Sequence, residues 1–142
     1  MEPAFWDSSA LVPLCVQQQP STSAKRLSER YNMIVWWAAP VEIRGAFTRL
    51  IRIGQLTSNQ YVGAHIRLEG LRSAWLEISP ELALRDRAEQ LLDRLPLKAA
   101  DSLQLAAGLV WAAGKPRGRA FLSGDAQLLQ AAEALGFLAV RL

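Results

Sequence analysis

Four acidic residues stand apart from the rest of the chain by what surrounds them. Asp7 ends the apolar run Ala4-Phe5-Trp6 and is followed by Ser8-Ser9-Ala10-Leu11. Glu42 sits in Pro40-Val41-Glu42-Ile43, above an apolar stripe that begins at Ile43. Asp101 heads Ala99-Ala100-Asp101-Ser102-Leu103-Gln104-Leu105-Ala106-Ala107, a stretch with almost no polar face. Asp125 follows Phe121-Leu122-Ser123-Gly124. The other nine acids lie among arginines or other polar residues, as on solvated faces. Carboxylates gathered in one place repel one another, at a cost on the order of several kcal/mol when ionised and uncompensated. A divalent cation is the usual compensation, and hard oxygen ligands suit Mg²⁺ or Mn²⁺. Taken singly, each of the four also reads as a helix cap or as an acid favoured by a helix dipole.

Other reactive groups are scarce. His65 is the lone histidine and lies on a helical stretch remote from every acidic motif, where a structural or solvated role is expected. Cys15 is the lone cysteine, which excludes a disulfide framework and a cysteine-based zinc site. Beside Val16 it reads as a small buried hydrophobe.

The elements that must position the acids follow from apolar periodicity. Short extended runs are expected over residues 4–6, 33–38, 74–78, 119–122 and 137–140, and the continuous run MIVWWA implies a strand buried on both faces. Helical spacing is expected over 8–16, 21–31, 57–72, 99–113 and 125–135. Pro40 opens a further helix with Ile43, Ala46, Phe47, Leu50 and Ile51 on one face and Gly54 at its end. Ser79-Pro80 is expected to cap another, with the stripe Leu84, Ala88, Leu91, Leu92 and Leu95 stopped by Pro96. Strands separated by helices imply α/β architecture, a five-stranded parallel sheet with helices on both faces. In an open sheet of that kind ligands bind at the carboxyl edge of the strands, where the strand order switches. Asp7, Glu42 and Asp125 project over that edge, and Asp101 can join them from the start of its helix.

Length and composition fit this picture. The 142 residues, 51% apolar and 20% charged, are expected to form a single domain over 1–142. No membrane span and no secretory signal are visible, so a cytoplasmic protein is expected. The net charge is +3, and thirteen of the sixteen basic residues are Arg, which suits bidentate phosphate contacts. Arg44, Arg49 and Arg52 share the helix that carries Glu42. The cluster Lys115-Pro116-Arg117-Gly118-Arg119 enters the fourth strand at the edge opposite the acids and reads as a solvated loop. Trp36 and Trp37 are expected in the core rather than as base-stacking platforms.

Four runs, in order, are similar to one known family: Phe5-Trp6-Asp7-Ser8-Ser9-Ala10-Leu11, Val41-Glu42-Ile43-Arg44, Lys98-Ala99-Ala100-Asp101-Ser102-Leu103-Gln104-Leu105-Ala106 and Ser123-Gly124-Asp125-Ala126-Gln127-Leu128. They resemble the PIN-domain nucleases, and their order and the total length look like the VapC-type toxins of toxin–antitoxin modules. The resemblance spans essentially the whole chain. It implies a PIN-like α/β domain, an acidic pocket binding Mg²⁺ or Mn²⁺, cleavage of RNA, a homodimer, and restraint by a small antitoxin. By position, it makes Asp7, Glu42, Asp101 and Asp125 the catalytic and metal-binding acids, with Ser9 and Ser123 supporting them. Lys98 stands where a basic residue precedes the third acid, and Lys98, Arg44 and Arg49 are candidate contacts to substrate phosphate. The sequence departs from the family pattern at Ala38-Ala39-Pro40, where a Ser/Thr-rich turn often precedes the second acid. With neither His65 nor Cys15 available as base or nucleophile, phosphodiester cleavage would use a metal-activated water. The antitoxin is expected to dock on the helices at 21–31 and 40–53, with a basic side chain toward the acids.

Two other classes remain open at this point. A PIN-like nuclease could process RNA outside any toxin module, or an inactive PIN-like domain could only bind. A phosphotransfer domain of the haloacid-dehalogenase type needs a second Asp two residues after the first, where this chain has Ser9. A receiver domain expects paired acids ahead of its phosphorylated Asp, and no such pair precedes Asp7.

Overall fold

Strands such as Ala4-Phe5-Trp6 and Ala120-Phe121-Leu122 have no polar face, so they are stable only when covered on both sides. The computed structural model, which describes residues 1–142, covers them with two helical layers. Along the chain run β1 (Glu2–Trp6), α1 (Ser8–Cys15), α2 (Ser21–Arg30), β2 (Tyr31–Trp36), α3 (Ala39–Arg52) and α4 (Ser58–Arg72). They are followed by β3 (Leu76–Ile78), α5 (Leu82–Arg94), α6 (Ala99–Trp111), β4 (Ala120–Ser123), α7 (Ala126–Leu135) and β5 (Leu138–Arg141). All strand pairs are parallel, in the order β3-β2-β1-β4-β5.

Alternation along each strand divides the core in two. Ala4 and Trp6 of β1, Tyr31 and Val35 of β2, and Ala120 and Leu122 of β4 face the layer of α1, α3 and α4. Phe5, Ile34, Trp36 and Phe121 face α5, α6 and α7. Helix ends follow the local signals: Thr57 and Gln60 form a capping box at α4, and Gly136, at φ +107°, closes α7 in the left-handed region. No helix is long and apolar enough to cross a membrane.

Several expectations are corrected. β2 ends at Trp36, so Trp37 falls in the following turn and is 53% exposed rather than in the core. Its backbone N–H still pairs with Ile78 O at 3.1 Å. α5 starts at Leu82 with Glu81 at its N-cap, leaving Ser79-Pro80 in the connecting segment, and Leu92 points outward. α2 offers no exposed apolar strip, because Ala24 is buried and Leu27 is packed on the core. Exposed apolar side chains on α3 are Val41 and Ile51, with Ile53 just beyond its end. Cys15 is buried, which pushes its thiol up to about 12, and His65 lies half-buried beside Tyr61.

Candidate active site

Parallel pairing brings the carboxyl ends of β1 and β4 side by side. Trp6 is in register with Leu122, and the Asp7 N–H donates to Leu122 O at 3.0 Å. The chain proceeds from β1 toward β2 and β3 on one side, and from β4 toward β5 on the other. This is the switch in strand order at which an open parallel sheet forms a crevice. Asp7 leaves β1 at this crevice, and Ser123-Gly124-Asp125 leaves β4 there.

Asp7 is the buried centre of the site, 6% exposed. Its Oδ2 accepts from the hydroxyls of both Ser9 and Ser123, the latter at 2.9 Å. The same two hydroxyls, 3.1 Å apart, accept from the turn after β4: Gly124 N–H donates to Ser9 at 2.9 Å and Asp125 N–H to Ser123 at 2.9 Å. Two serines thus stitch the ends of β1 and β4 together while holding one oxygen of Asp7.

The remaining acids come from three helices, with Glu42 and Asp101 half-buried and Asp125 exposed. Glu42, half-buried in the first turn of α3, receives Ser8 Oγ–H and Gln104 Nε2–H, each 2.6 Å from its Oε1. Asp101, in the first turn of α6, accepts no hydrogen bond from the protein and is half-buried. Asp125, exposed, caps α7 through Oδ1, which accepts from Gln127 N–H at 2.9 Å and Leu128 N–H at 3.3 Å. Of the four acids only Asp125 is a true side-chain cap. Asp7 holds the N-cap position of α1 without capping it, and α6 is preceded by Lys98.

Each acid therefore keeps at least one oxygen free of protein hydrogen bonds: Oδ1 of Asp7, Oε2 of Glu42, both oxygens of Asp101 and Oδ2 of Asp125. None has a cationic partner within an ion pair, since the chain's one salt bridge joins Arg72 and Glu69 far along α4. Burial, reinforced by the charges of Glu42 and Asp101, pushes the Asp7 carboxyl up to about 6 although the two serines pull it down. Burial and then the charge of Asp125 hold Asp101 above the ordinary range, partly offset by Lys98. The carboxylates influence one another in pairs, and no three of them are arranged as a ready metal cage. Their chemistry nonetheless fits a hard divalent cation: free anionic oxygens, no nitrogen or sulfur donor, and negative charge that Lys98 offsets only in part.

The basic candidates separate by helix face. Glu42, Ala46 and Arg49 recur at i, i+4 and i+7, and they line one cavity of about 280 Å³ with Ser8, Ser9 and Gln18. Arg44, two residues from Glu42, is on a different face and exposed, so the structure does not bring it to the cleft. Lys98 is near enough to act on Asp101. The cluster at Lys115–Arg119 leads into the amino end of β4, the edge away from the acids. Sequence reading did not single out Ser8 or Gln104. Gln104 carried a usable signal, being the one long polar side chain inside an otherwise apolar helix, three residues after Asp101.

No family model and no curated protein matches the sequence. Solved structures do match by shape. PAE2754 from Pyrobaculum aerophilum superposes with a TM-score of 0.68 at 17% identity, covering 99% of this chain and 92% of that one. FitAcB from Neisseria gonorrhoeae superposes with a TM-score of 0.66 at 14% identity, covering 94% of this chain and 96% of that one. With a five-stranded parallel sheet between helical layers, a switch point flanked by acids, and these likenesses over nearly the full length, the chain has a PIN-like α/β fold.

Proposed function

We propose that this protein is a metal-dependent endoribonuclease, the toxin of a toxin–antitoxin pair, that hydrolyses RNA phosphodiesters at the crevice between β1 and β4. The observation that supports the reading is buried Asp7 beside Glu42 and Asp101, each with a carboxylate oxygen free of protein hydrogen bonds and none in an ion pair, with Lys98 the one cation acting on Asp101. When bound, Mg²⁺ or Mn²⁺ would screen the charge of the substrate phosphate and lower the pKa of water. Asp7 would hold the cation through its free oxygen, while Ser9 and Ser123 fix the carboxylate plane through Oδ2. Glu42, Asp101 and Asp125 would complete the donor set. Asp101, free of protein hydrogen bonds and partly open to solvent, would be the acid available to accept a proton from water. Arg49, which lines one cavity with Glu42, would meet a phosphate of the incoming strand.

Labelled RNA incubated with Mn²⁺, Mg²⁺ or EDTA tests the chemistry. Cleavage is expected with either metal, to vanish with EDTA, and to vanish in Asp101→Asn, which should fold normally because Asp101 caps nothing. An Asp101→Asn protein that cleaves like wild type would remove the four-acid reading. The toxin role predicts growth arrest on expression of the chain alone, absent with Asp7→Asn and relieved by a cognate antitoxin. Harmless expression of an active enzyme would favour RNA processing instead.

RNA affinity should depend on Arg49 far more than on Arg44. Each phosphate contact to a single strand contributes about 0.7 to the slope of log affinity against log salt. Arg49→Ala is expected to lower that slope by about this amount, and Arg44→Ala to leave it unchanged. Filter binding with EDTA, which prevents turnover, reads the difference. Equal slopes would place the RNA path elsewhere.

A further inference from the structure

We infer that Gln104 is a positioning residue for Glu42: its amide, together with the Ser8 hydroxyl, holds Oε1 so that Oε2 is presented to a cation. The inference rests on the metal-dependent reading of the site and identifies what orients its second acid.

The need for such a device is visible at the start of α3. Ala38 is the N-cap and forms no side-chain cap, and Ala38-Ala39-Pro40 has no hydroxyl to steady Glu42 locally. Support comes instead from two other elements. Ser8 opens α1 and donates to Glu42 Oε1 at 2.6 Å, and Gln104, on α6, donates to the same oxygen at 2.6 Å. Gln104 Nε2 also lies 3.0 Å from Ser8 Oγ, so the three side chains close a triangle. Gln104 is only 1% exposed, and its Oε1 is buried with no hydrogen-bond partner. A buried amide serving stability alone would be expected to satisfy both ends, because an unpaired buried carbonyl is destabilising. Turning the amide over would set its oxygen against the Glu42 carboxylate, so the negative charge itself fixes the orientation. Gln104 also lies three residues after Asp101, on the same side of α6. One rigid helix therefore carries one acid and grips another.

The test exploits the unsatisfied carbonyl. Gln104→Leu keeps the side-chain size, removes the orphaned oxygen and abolishes the grip on Glu42. Mn²⁺ affinity of the full chain, measured by titration calorimetry without RNA, is expected to weaken about 10- to 100-fold, the usual effect of losing a partner behind a metal ligand. Tm of the metal-free protein should stay level or rise. Gln104→His, which retains an N–H donor at the position, should recover part of the affinity, and Ser8→Ala should weaken it independently. Wild-type Mn²⁺ affinity in Gln104→Leu would overturn the inference. So would a loss of affinity that only follows a fall in Tm, or an unfolded variant, since either would make the amide structural. A wild-type protein that takes up no Mn²⁺ is a separate result, and it would overturn the proposed function itself.

Discussion

Asp7→Asn is expected to do two opposite things: eliminate RNA cleavage and make the metal-free protein more stable above pH 6. The carboxyl titrates at 3.8 in an ordinary setting and near 6 in the folded chain, chiefly because burial disfavours its charge. Between those values the folded state binds more protons than the unfolded one, so stability falls as pH rises through this window. Below it the carboxyl is neutral in both states and no penalty exists. Above pH 6 the penalty is complete, about 3 kcal/mol for a shift of this size. Asparagine mimics the neutral form and its carbonyl can still accept from Ser9 and Ser123. Thermal melts should therefore coincide near pH 3.5 and diverge by roughly 6–12 °C at pH 8. Mn²⁺ should raise the wild-type Tm at pH 8 by binding only the folded state, and should do little for the variant. A difference in Tm that is the same at both pH values would show that Asp7 is not the strained ionisable group.

Phe121→Ala is expected to be among the most damaging core substitutions, at about 3–5 kcal/mol. The ring is fully buried, stacks on Phe5 with centroids 5.2 Å apart, and lies 5.3 Å from Phe137. On its remaining side it meets α6 at Gly108, where even a methyl group would come within 3.2 Å of both Phe121 and Phe137. Two aromatic rings and a helix backbone cannot easily collapse into the space, which keeps the cavity cost high. Set against the 5–15 kcal/mol typical of native domains, this loss of about a fifth or more should be plain in urea unfolding as a lower midpoint at constant slope. Leu138→Ala, at a side chain 53% exposed on β5, should change stability by no more than about 0.5 kcal/mol. A Phe121→Ala loss as small as that would mean the aromatic cluster is not the packed unit described.

Much of this molecule is determined locally, and its sequence shows as much. Ala4-Phe5-Trp6 and Ala120-Phe121-Leu122 are apolar on both faces, which makes them central strands whatever their neighbours. Gly54 and Gly136 adopt positive φ and end α3 and α7, as side-chain-free residues can. The acids at the ends of apolar runs, and the absence of a histidine or cysteine near them, were equally open to reading. Other outcomes were decided only when the sheet assembled. Strand order puts β4 beside β1, so Ser123 donates to Asp7 across 116 positions of sequence, and no local periodicity encodes that pairing. The end of β2 at Trp36, set by pairing with β3, turned Trp37 out of the core. Arg44 and Arg49 are chemically alike along the chain and differ only in which side of α3 faces the crevice. Gln104 and Glu42 lie 62 positions apart, and only the packing of α6 and α3 around the same strand ends makes them one hydrogen-bonded pair. Burial and periodicity act between near neighbours and so are written in the sequence; the site depends on which strand ends become adjacent, and that is a property of the whole sheet.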